Sequence, residues 1–386
     1  MKDVLLVFGG KSYEHDISIV TASQIFNKTR LNDVKLVPLY VSRENRYYVY
    51  TETKFDIKKF SGNDFLKSKK LFKEVVFVTG ERSKLFLKTR FGLKEYLSVE
   101  LAVFACHGGC AENGELVSIF KDNGIFSSSG SIEALSLCMN KYLFKKQMNG
   151  LKIPVVQGFK ICKFEFENYY ESLKKKFQFM KFPIIAKANN GGSSIGVFLV
   201  ENRDELKEKL QQALEFDNEI LIEKYIKSTR EFNVSILGDR EDFVVSEIDE
   251  PIKQDEILSF ANKYLDSVKS KGCAKGNCTG KMQNQNRKFP ADISEMLKLK
   301  IKEIAAKIFK ELNLFGVVRI DFLYDELIDK LYVCEVNAMP GSLAYYFYDE
   351  NRITTNYLVL KLIELAEKHK QKTYAINSEY YTNILN

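Results

Sequence analysis

The 386-residue sequence lacks several features that define well-known protein classes. No stretch approaches the ~18 consecutive apolar residues that a membrane-spanning helix needs, and the apolar run at residues 4–8 is too short for a secretion signal. The seven cysteines are odd in number and scattered, which does not indicate a disulfide framework. Cys273 and Cys278 lie close together, but no second pair or nearby histidine completes a zinc site. We therefore expect a cytoplasmic protein with no membrane partner.

The charge distribution argues against a nucleic-acid partner. Lys and Arg number 58 against 51 Asp and Glu, and the resulting net charge of +7 is spread along the chain. No basic stripe is interleaved with aromatic residues, as a nucleic-acid surface would require. A mild positive excess would instead help to attract an anionic small molecule. The sequence contains three histidines, His15, His107 and His369. Their spacing does not indicate a Ser/His/Asp catalytic triad.

Strands and helices alternate in the first third of the chain. Short apolar runs at residues 4–8, 36–41 and 101–106 predict buried strands, and the apolar spacing at residues 16–28 predicts a helix. Glycine-bearing loops follow the first and third of these strands. The pattern is typical of an α/β unit in which ligands bind at the carboxyl ends of the strands.

The rest of the chain predicts two further units. The expected elements are a helix near Ser131 that carries Asn140 and Lys141, strands at 183–187, 220–222, 317–323 and 331–336, and a helix at 293–312 with a capping box of Asp292 and Glu295. We place the domains at residues 1–130, 131–222 and 223–386. A mobile surface loop is expected at 260–289, because residues 269–288 are mostly Lys, Gly, Asn and Gln and have no apolar periodicity.

Two short segments carry the strongest local signal for chemistry. Arg319 and Asp321 share one face of a predicted strand, and Glu335 and Asn337 share one face of the next. If the strands pair, two carboxylates, an amide oxygen and a guanidinium converge. Such hard oxygen ligands suit Mg²⁺, which often binds substrate phosphates as well. The alternative interpretation is a salt-bridge ladder on the protein surface.

A glycine-rich segment at residues 190–196 indicates a phosphate-binding loop. Its small residues let backbone amides approach a phosphate, although an ordinary turn explains such a segment equally often. No Gly-Lys-Ser/Thr follows, so it is not a Walker A loop. Lys141, Lys187 and Lys224 each lie in or just beyond a predicted element that leads to this region. Glu223 could present its carboxylate to a nucleoside.

In their order along the chain, these segments resemble the D-alanine–D-alanine ligases of the ATP-grasp superfamily. The matching segments are LLVFGGKSYEHDISIVTA, HGGCAENGE, CMNKYLFKKQMNGLKIPV, FPIIAKANNGGSSIGV, ILIEKYI, FANKYL, PADIS, VRIDF and EVNAMPGS. They follow one another in the family's order, and the resemblance extends over nearly the whole chain. The resemblance implies an α/β fold (an α+β three-domain ATP-grasp architecture), with an N-terminal Rossmann-like parallel-sheet domain followed by two ATP-grasp subdomains.

The resemblance also implies roles for individual residues. Glu14 would bind the ammonium group of the first D-alanine with His107 nearby, and Ser193 and Tyr264 would close the site together with Glu14. The residues implied to bind ATP are Lys141, Lys187, Ser194 and Lys263 at the phosphates, and Glu223, Lys224, Ile226 and Glu231 around the rest of the nucleotide. The implied ligands of two Mg²⁺ ions are Asp321, Glu335 and Asn337. Arg319 and the backbone N–H of Gly341 would form an oxyanion hole, and Ser342 and Tyr346 would lie at the second substrate.

The implied activity is ATP-dependent joining of two D-alanines through an acyl phosphate, for peptidoglycan synthesis. The implied cofactors are ATP and Mg²⁺, with Mn²⁺ as an alternative metal and K⁺ as a candidate activator. A homodimer is implied as well, but no sequence feature fixes its interface.

Local departures from the family pattern leave the second substrate open. Tyr346 stands where a serine of the family helps to hold the carboxylate of the second substrate. Ala111, Asn113 and Asn140 also differ from the usual residues, and the loop at 265–288 is longer than typical. The same mechanism with D-lactate, D-serine or another amino acid as acceptor is therefore an alternative. A catalytically silent nucleotide-binding regulator is disfavoured, because every residue implied for metal binding and the oxyanion hole is present.

Overall fold

The computed structural model describes residues 1–60, 68, 70–227, 229–252, 287–348 and 353–376. Three β-sheets of eight, four and five strands organise these residues. Most of the loop predicted at 260–289 lies outside the described residues. The same is true of Lys263, Tyr264, Cys273 and Cys278.

The first sheet is parallel in one half and antiparallel in the other. Its strands are β1 (Lys2–Gly9), β2 (Val34–Val41), β3 (Tyr47–Tyr50), β4 (Phe72–Val76), β5 (Lys84–Thr89), β6 (Gly92–Ser98), β7 (Leu101–Phe104) and β8 (Phe126–Ser127). The expected parallel sheet is present as β2-β1-β7-β8. It is extended by β3, β4, β5 and β6, which run antiparallel. Only two residues join β5 to β6, and antiparallel strands alone allow so short a connection.

The second and third sheets are antiparallel throughout. The second contains β9 (Gly158–Cys162), β10 (Ile184–Ala188), β11 (Val197–Val200) and β12 (Glu219–Lys224), in the order β11-β10-β12-β9. The third contains β13 (Thr229–Gly238), β14 (Phe243–Pro251), β15 (Arg287–Lys288), β16 (Gly316–Asp325) and β17 (Lys330–Asn337), in the order β15-β14-β13-β16-β17. The predicted adjacency of the last two strands is confirmed.

The observed helices differ from the predicted ones in two details. The described α-helices are His15–Lys28, Gly109–Glu112, Glu115–Asp122, Ile132–Met139, Lys141–Gly150, Lys163–Asn168, Tyr170–Phe177, Leu206–Ala213, Glu295–Glu311 and Thr355–Tyr374, with 3₁₀-helices at Ile57–Phe60 and Gly341–Phe347. The helix predicted through Asn140 is instead two helices, because the Asn140 side chain caps the second by accepting from the N–H of Leu143. The capping box of Asp292 and Glu295 is wrong, since Ser294 caps that helix by accepting from the N–H of Leu297. No described helix combines the length and the apolar content that a bilayer crossing requires.

Apolar cores connect segments that are far apart in the sequence. The helices at 132–150 pack on the third sheet, where Phe144 and Met148 share a buried cluster with Ile320. The helix Thr355–Tyr374 returns to the first sheet, and Leu362 shares a cluster with Leu6. Apolar packing thus connects the helices at 132–150 to the third sheet and the helix Thr355–Tyr374 to the first sheet. The domain boundaries expected at 130 and 222 stay predictions.

Candidate active site

A cleft of about 250 Å³ lies where the three sheets meet. The loops after β1 and β7 bring Glu14 and His107 to it, and β10 and β12 of the second sheet bring Lys187 and Glu223. The third sheet contributes polar side chains of β16 and β17. The carboxyl ends of β1 and β7 therefore face the cleft, as the α/β pattern predicts.

The polar corner formed by β16 and β17 has the predicted register. Arg319 lies opposite Asn337, and Asp321 lies opposite Glu335. Nε and Nη2 of the Arg319 guanidinium donate to Asp321, at 2.7 Å each, and the Asn337 amide donates to the same carboxylate at 3.0 Å. All four side chains line the cleft. The salt bridge of the alternative interpretation does exist, but it lies at the wall of a cleft and not on an open surface.

The donor set of this corner fits Mg²⁺. Asp321 and Glu335 supply carboxylate oxygens and Asn337 supplies an amide oxygen, all hard ligands. In the part of the chain that the structure describes, no three His, Cys, Asp or Glu side chains form a metal-binding group. Two carboxylates and an amide, each giving one oxygen, leave half of an octahedral shell open. That matches an ion which keeps waters and binds substrate phosphates in preference to an all-protein cage.

A buried ionic cluster, the Lys145–Glu223–Lys187 triad, lines one wall of the cleft. The Lys187 ammonium lies 2.5 Å from one Glu223 oxygen, and Lys145 pairs with the other. The three side chains are only 6–9% exposed. Burial alone would raise the pKa of Glu223, but the two ammonium groups outweigh it and lower that pKa to about 2. Two positive charges and one negative charge leave this wall with a net positive charge, suited to an anionic ligand.

Lys141 connects the glycine-rich loop to the polar corner. Its ammonium donates to the carbonyl of Gly191 and lies 4.0 Å from the Glu335 carboxylate. Burial lowers the pKa of this lysine, partly offset by Glu335. A phosphate between the loop and the corner would lie within reach of Lys141.

The glycine-rich loop encloses Glu14. Ser193 and Ser194 adopt the left-handed conformation, with φ of 50° and 60°. The Ser193 hydroxyl donates to the Glu14 carboxylate, so the structure brings this predicted pair together. A Cβ atom added to Gly108 or to Gly192 would lie 2.7 or 2.8 Å from the other Glu14 oxygen. Glycine at both positions is therefore what lets two loops close around one carboxylate.

His107 is held on both ring nitrogens. Nδ1 lies 2.8 Å from the Met339 carbonyl oxygen and Nε2 lies 2.8 Å from the Thr21 hydroxyl. Burial lowers the pKa of His107 to about 4, so the ring is neutral near pH 7. His107 lines the cleft, but its hydrogen bonds tie it to the protein. Its ring fixes the segment that leads to Gly341.

The segment after Pro340 brings some predicted residues to the cleft and not others. Gly341 and Tyr346 line it. Ser342 is buried, and its hydroxyl donates to the Gln24 side chain at 2.6 Å. The residues 342–344 form a left-handed turn with φ of 49–55°, which turns Ser342 towards the helix His15–Lys28. The Ser342 hydroxyl is therefore hydrogen-bonded to that helix.

The remaining nucleotide-site predictions also reach the cleft. Ser194, Lys224, Ile226 and Glu231 all line it. Lys224 ends β12 as an exposed residue, in contrast to the buried Glu223 beside it. The predicted set thus surrounds one cleft, apart from Ser342 and from Lys263 and Tyr264, which lie outside the described residues.

Four charged residues of the cleft were not predicted from the sequence: Glu112, Lys145, Asp249 and Arg287. Lys145 had a usable signal, because it lies four residues after Lys141 and so on the same helix face. Glu112 lies inside a matching segment but was assigned no role. Asp249 and Arg287 belong to β14 and β15, on either side of residues 253–286, and no local pattern marks them.

Glu112 makes the stability of the fold depend on pH. Burial, followed by the neighbouring Glu14 carboxylate, raises the pKa of Glu112 to about 8, although the Gly108 N–H donates to it at 2.9 Å. The folded protein therefore keeps a proton here that the unfolded chain loses near pH 4.5. We expect Glu112→Gln to unfold like the wild type at pH 4 and to be more stable by about 2–4 kcal/mol at pH 8. Denaturant melts from pH 4 to 9 measure this difference.

An exposed carboxylate provides the control for this experiment. Glu52 lies in an exposed loop after β3, and Glu52→Gln should show no such growth of the difference between pH 4 and pH 8. A constant difference for Glu112→Gln over the whole range would contradict the assignment of a raised pKa to this carboxyl.

The architecture is that of an ATP-grasp protein. Family models described as D-ala D-ala ligase N-terminus and D-ala D-ala ligase C-terminus match residues 3–126 and 147–364. The chain belongs to the D-alanine–D-alanine ligase family, as its sequence indicates.

Individual relatives match over nearly their whole length. The D-alanine–D-alanine ligase of Thermosipho melanesiensis is 32% identical, over 96% of this chain and 96% of its own. That of Helicobacter pylori strain P12 is 30% identical, over 96% and 97%. The crystal structure of the Helicobacter pylori enzyme has a TM-score of 0.71 at 30% identity and covers 94% of this chain and 99% of its own. VanG D-Ala:D-Ser ligase from Enterococcus faecalis, with a TM-score of 0.77 at 24% identity and coverage of 95% and 99%, shares the fold.

Proposed function

We propose that the protein joins two D-alanines at the expense of ATP, through an acyl phosphate, to supply D-alanyl-D-alanine for peptidoglycan synthesis. One observation carries the proposal: the Glu14–Ser193 pair, the cleft lysines and the polar corner of Arg319 all line one cleft. The family relationship supports the same activity.

The first step needs charge neutralisation at the phosphates of ATP. An oxygen of the first D-alanine carboxylate attacks the γ-phosphorus, and ADP leaves. Lys141 and Lys187 would hold the phosphates, with backbone amides of the glycine-rich loop beside them. Mg²⁺ bound by Asp321, Glu335 and Asn337 would supply further positive charge at the transferring phosphoryl group. Glu14 would hold the ammonium group of this D-alanine.

The second step forms the peptide bond. The amine nitrogen of the second D-alanine, having lost one proton, attacks the carbonyl carbon of the acyl phosphate. The carbon–oxygen bond to phosphate then breaks, inorganic phosphate leaves with the electron pair, and the nitrogen gives its second proton to the departing phosphate. Arg319 and the Gly341 N–H would stabilise the negative oxygen of the tetrahedral intermediate. Nε and Nη2 of Arg319 donate to Asp321, and Nη1, which lies outside this pair, would donate to that oxygen.

The finer parts of the proposal follow from the family resemblance. Two Mg²⁺ ions, with Mn²⁺ as an alternative, would serve the reaction, and K⁺ is a candidate activator. Lys263 would contact a phosphate, and Tyr264 would complete the cluster of Glu14 and Ser193. We also propose that the protein acts in the cytoplasm as a homodimer.

One structural feature favours a second candidate, in which the mechanism is kept and the acceptor differs. Tyr346 fills the position of the family's serine, and its ring is buried beside Arg319. A bulky ring there reshapes the acceptor subsite. D-serine, D-lactate or another amino acid would then be the second substrate.

A product analysis separates these activities. Phosphate release from ATP is measured with Mg²⁺ and K⁺ over D-Ala, L-Ala, D-Ser and D-lactate, each alone and paired with D-Ala, and the products are identified by mass. We expect turnover with D-Ala alone and the mass of D-alanyl-D-alanine. Turnover only with a mixed pair would identify the other member of that pair, and not D-Ala, as the second substrate. Nucleotide binding without turnover on any pair would contradict a ligase and favour a regulator.

A further inference from the structure

We propose that Arg287 and Asp249 bind the second substrate as a zwitterion, Arg287 through its carboxylate and Asp249 through its ammonium group. This inference rests on the proposed function and assigns its acceptor subsite to two residues. Acceptors would then need both a free carboxylate and an amino group.

Arg287 is a cleft arginine whose guanidinium makes no hydrogen bond to another described residue. Its side chain is 13% exposed, and its guanidinium carbon lies 4.6 Å from the centre of the Tyr346 ring. Its ion pair with Asp249 is 3.6 Å long, beyond hydrogen-bond length. Arg319, the other described arginine of the cleft, already donates from Nε and Nη2 to Asp321. A guanidinium held over an aromatic ring is pre-oriented to grip a carboxylate with two parallel hydrogen bonds.

Asp249 is a buried carboxylate that faces the same cleft. Its side chain is 6% exposed, and its Oδ1 atom makes no hydrogen bond within the described residues. A buried acceptor without a donor is costly, and burial raises the pKa of Asp249 to about 6 despite Arg287. An ammonium group in the cleft would supply the missing donors.

The pair lies close to the reacting atoms. Tyr346 connects the two arginines, because Arg319 hydrogen-bonds its hydroxyl and Arg287 lies over its ring. Arg319 is the residue proposed to hold the reacting carboxyl oxygen. The nitrogen and the carboxylate of an α-amino acid are joined to one carbon atom. An acceptor whose nitrogen attacks beside Arg319 therefore has its own carboxylate within reach of Arg287.

Competition between acceptors tests the proposal. Mixtures of D-Ala with D-alaninamide, which lacks the carboxylate, or with D-lactate, which lacks the ammonium group, are turned over with ATP and Mg²⁺, and the product ratio is read by mass. We expect Arg287→Gln to lower the preference for D-Ala over D-alaninamide at least about tenfold, and Asp249→Asn to do the same against D-lactate. The KM for ATP should stay within about twofold of the wild type.

Matched variants make each outcome decisive. Lys288→Gln changes the exposed neighbour of Arg287 on the same two-residue strand, and it should leave both preferences unchanged. Arg287→Lys keeps the positive charge but lacks the planar guanidinium that donates two parallel hydrogen bonds. We expect an intermediate preference for D-Ala over D-alaninamide in this variant, which provides a test even if Arg287→Gln does not fold. Unchanged preferences in folded variants of a wild type that makes D-alanyl-D-alanine would overturn this inference alone. A wild type without any ligase turnover would overturn the proposed function along with it.

Discussion

Replacing Arg319 with alanine is expected to lower kcat for dipeptide formation about 10²–10³-fold, equivalent to about 3–4 kcal/mol of lost transition-state stabilisation. The guanidinium lies at the cleft wall, where charge develops on the oxygen of the tetrahedral intermediate. Nucleotide affinity should change little, because Lys141, Lys187 and Glu223 are on other elements. Steady-state rates with mass detection of the product, together with calorimetric titration of ADP and Mg²⁺, measure both quantities.

Arg230 is the matched control for this substitution. It also gives two hydrogen bonds to one carboxylate, Glu250, at 2.6 and 2.8 Å, but it does not line the cleft. Arg230→Ala should lower stability and leave kcat within about threefold of the wild type, because it removes the same kind of ion pair away from the reacting atoms. Near-normal turnover in Arg319→Ala would remove Arg319 from the mechanism. An equal loss in both variants would show that the effect is structural.

The polar corner shows what the sequence could predict. Its residues alternate along two apolar segments that are neighbours in the sequence, so strand periodicity predicts which side chains share a face, and their convergence if the strands pair. The strands do pair, with Asp321 opposite Glu335. Lys187 was predictable for a similar reason, because it ends an apolar run directly before a glycine-rich loop.

Two residues on the acceptor side of the cleft could not be predicted from the sequence. Asp249 lies on β14 and Arg287 on β15, and only the third sheet brings them together. Ser342 was assigned to the substrate from its place in a matching segment, yet a left-handed turn directs it to Gln24. Neither a long-range strand pairing nor a reversal of backbone handedness leaves a periodic signal in the sequence.

Breaking the Lys145–Glu223–Lys187 triad should have the largest effect on stability. Glu223→Gln leaves two buried ammonium groups without their counter-ion, and we expect a loss of about 3–5 kcal/mol in the free energy of unfolding at pH 7. The effect depends on pH in a defined direction. The pKa of Glu223 is lowered to about 2 in the fold from an unfolded value near 4.5, so its stabilising contribution is complete above pH 4.5 and is lost as the pH falls towards 2. The gap between wild type and variant should therefore close across that window.

Glu247 tests whether burial is what gives the triad its strength. It also lies between two lysines, at 3.2 Å from Lys298 and 2.9 Å from Lys302, but its side chain is 26% exposed. Water screens this second group, so Glu247→Gln should cost no more than about 1 kcal/mol. Denaturant unfolding of both variants at pH 7, and again at the lowest pH where the wild type remains folded, provides the comparison. Equal losses in the free energy of unfolding at pH 7 would mean that the number of paired charges, and not their burial, sets the stabilisation. A loss confined to Glu223→Gln would show that the cleft wall is stabilised by ions removed from water, which is also the condition under which Lys187 acts most strongly on a phosphate.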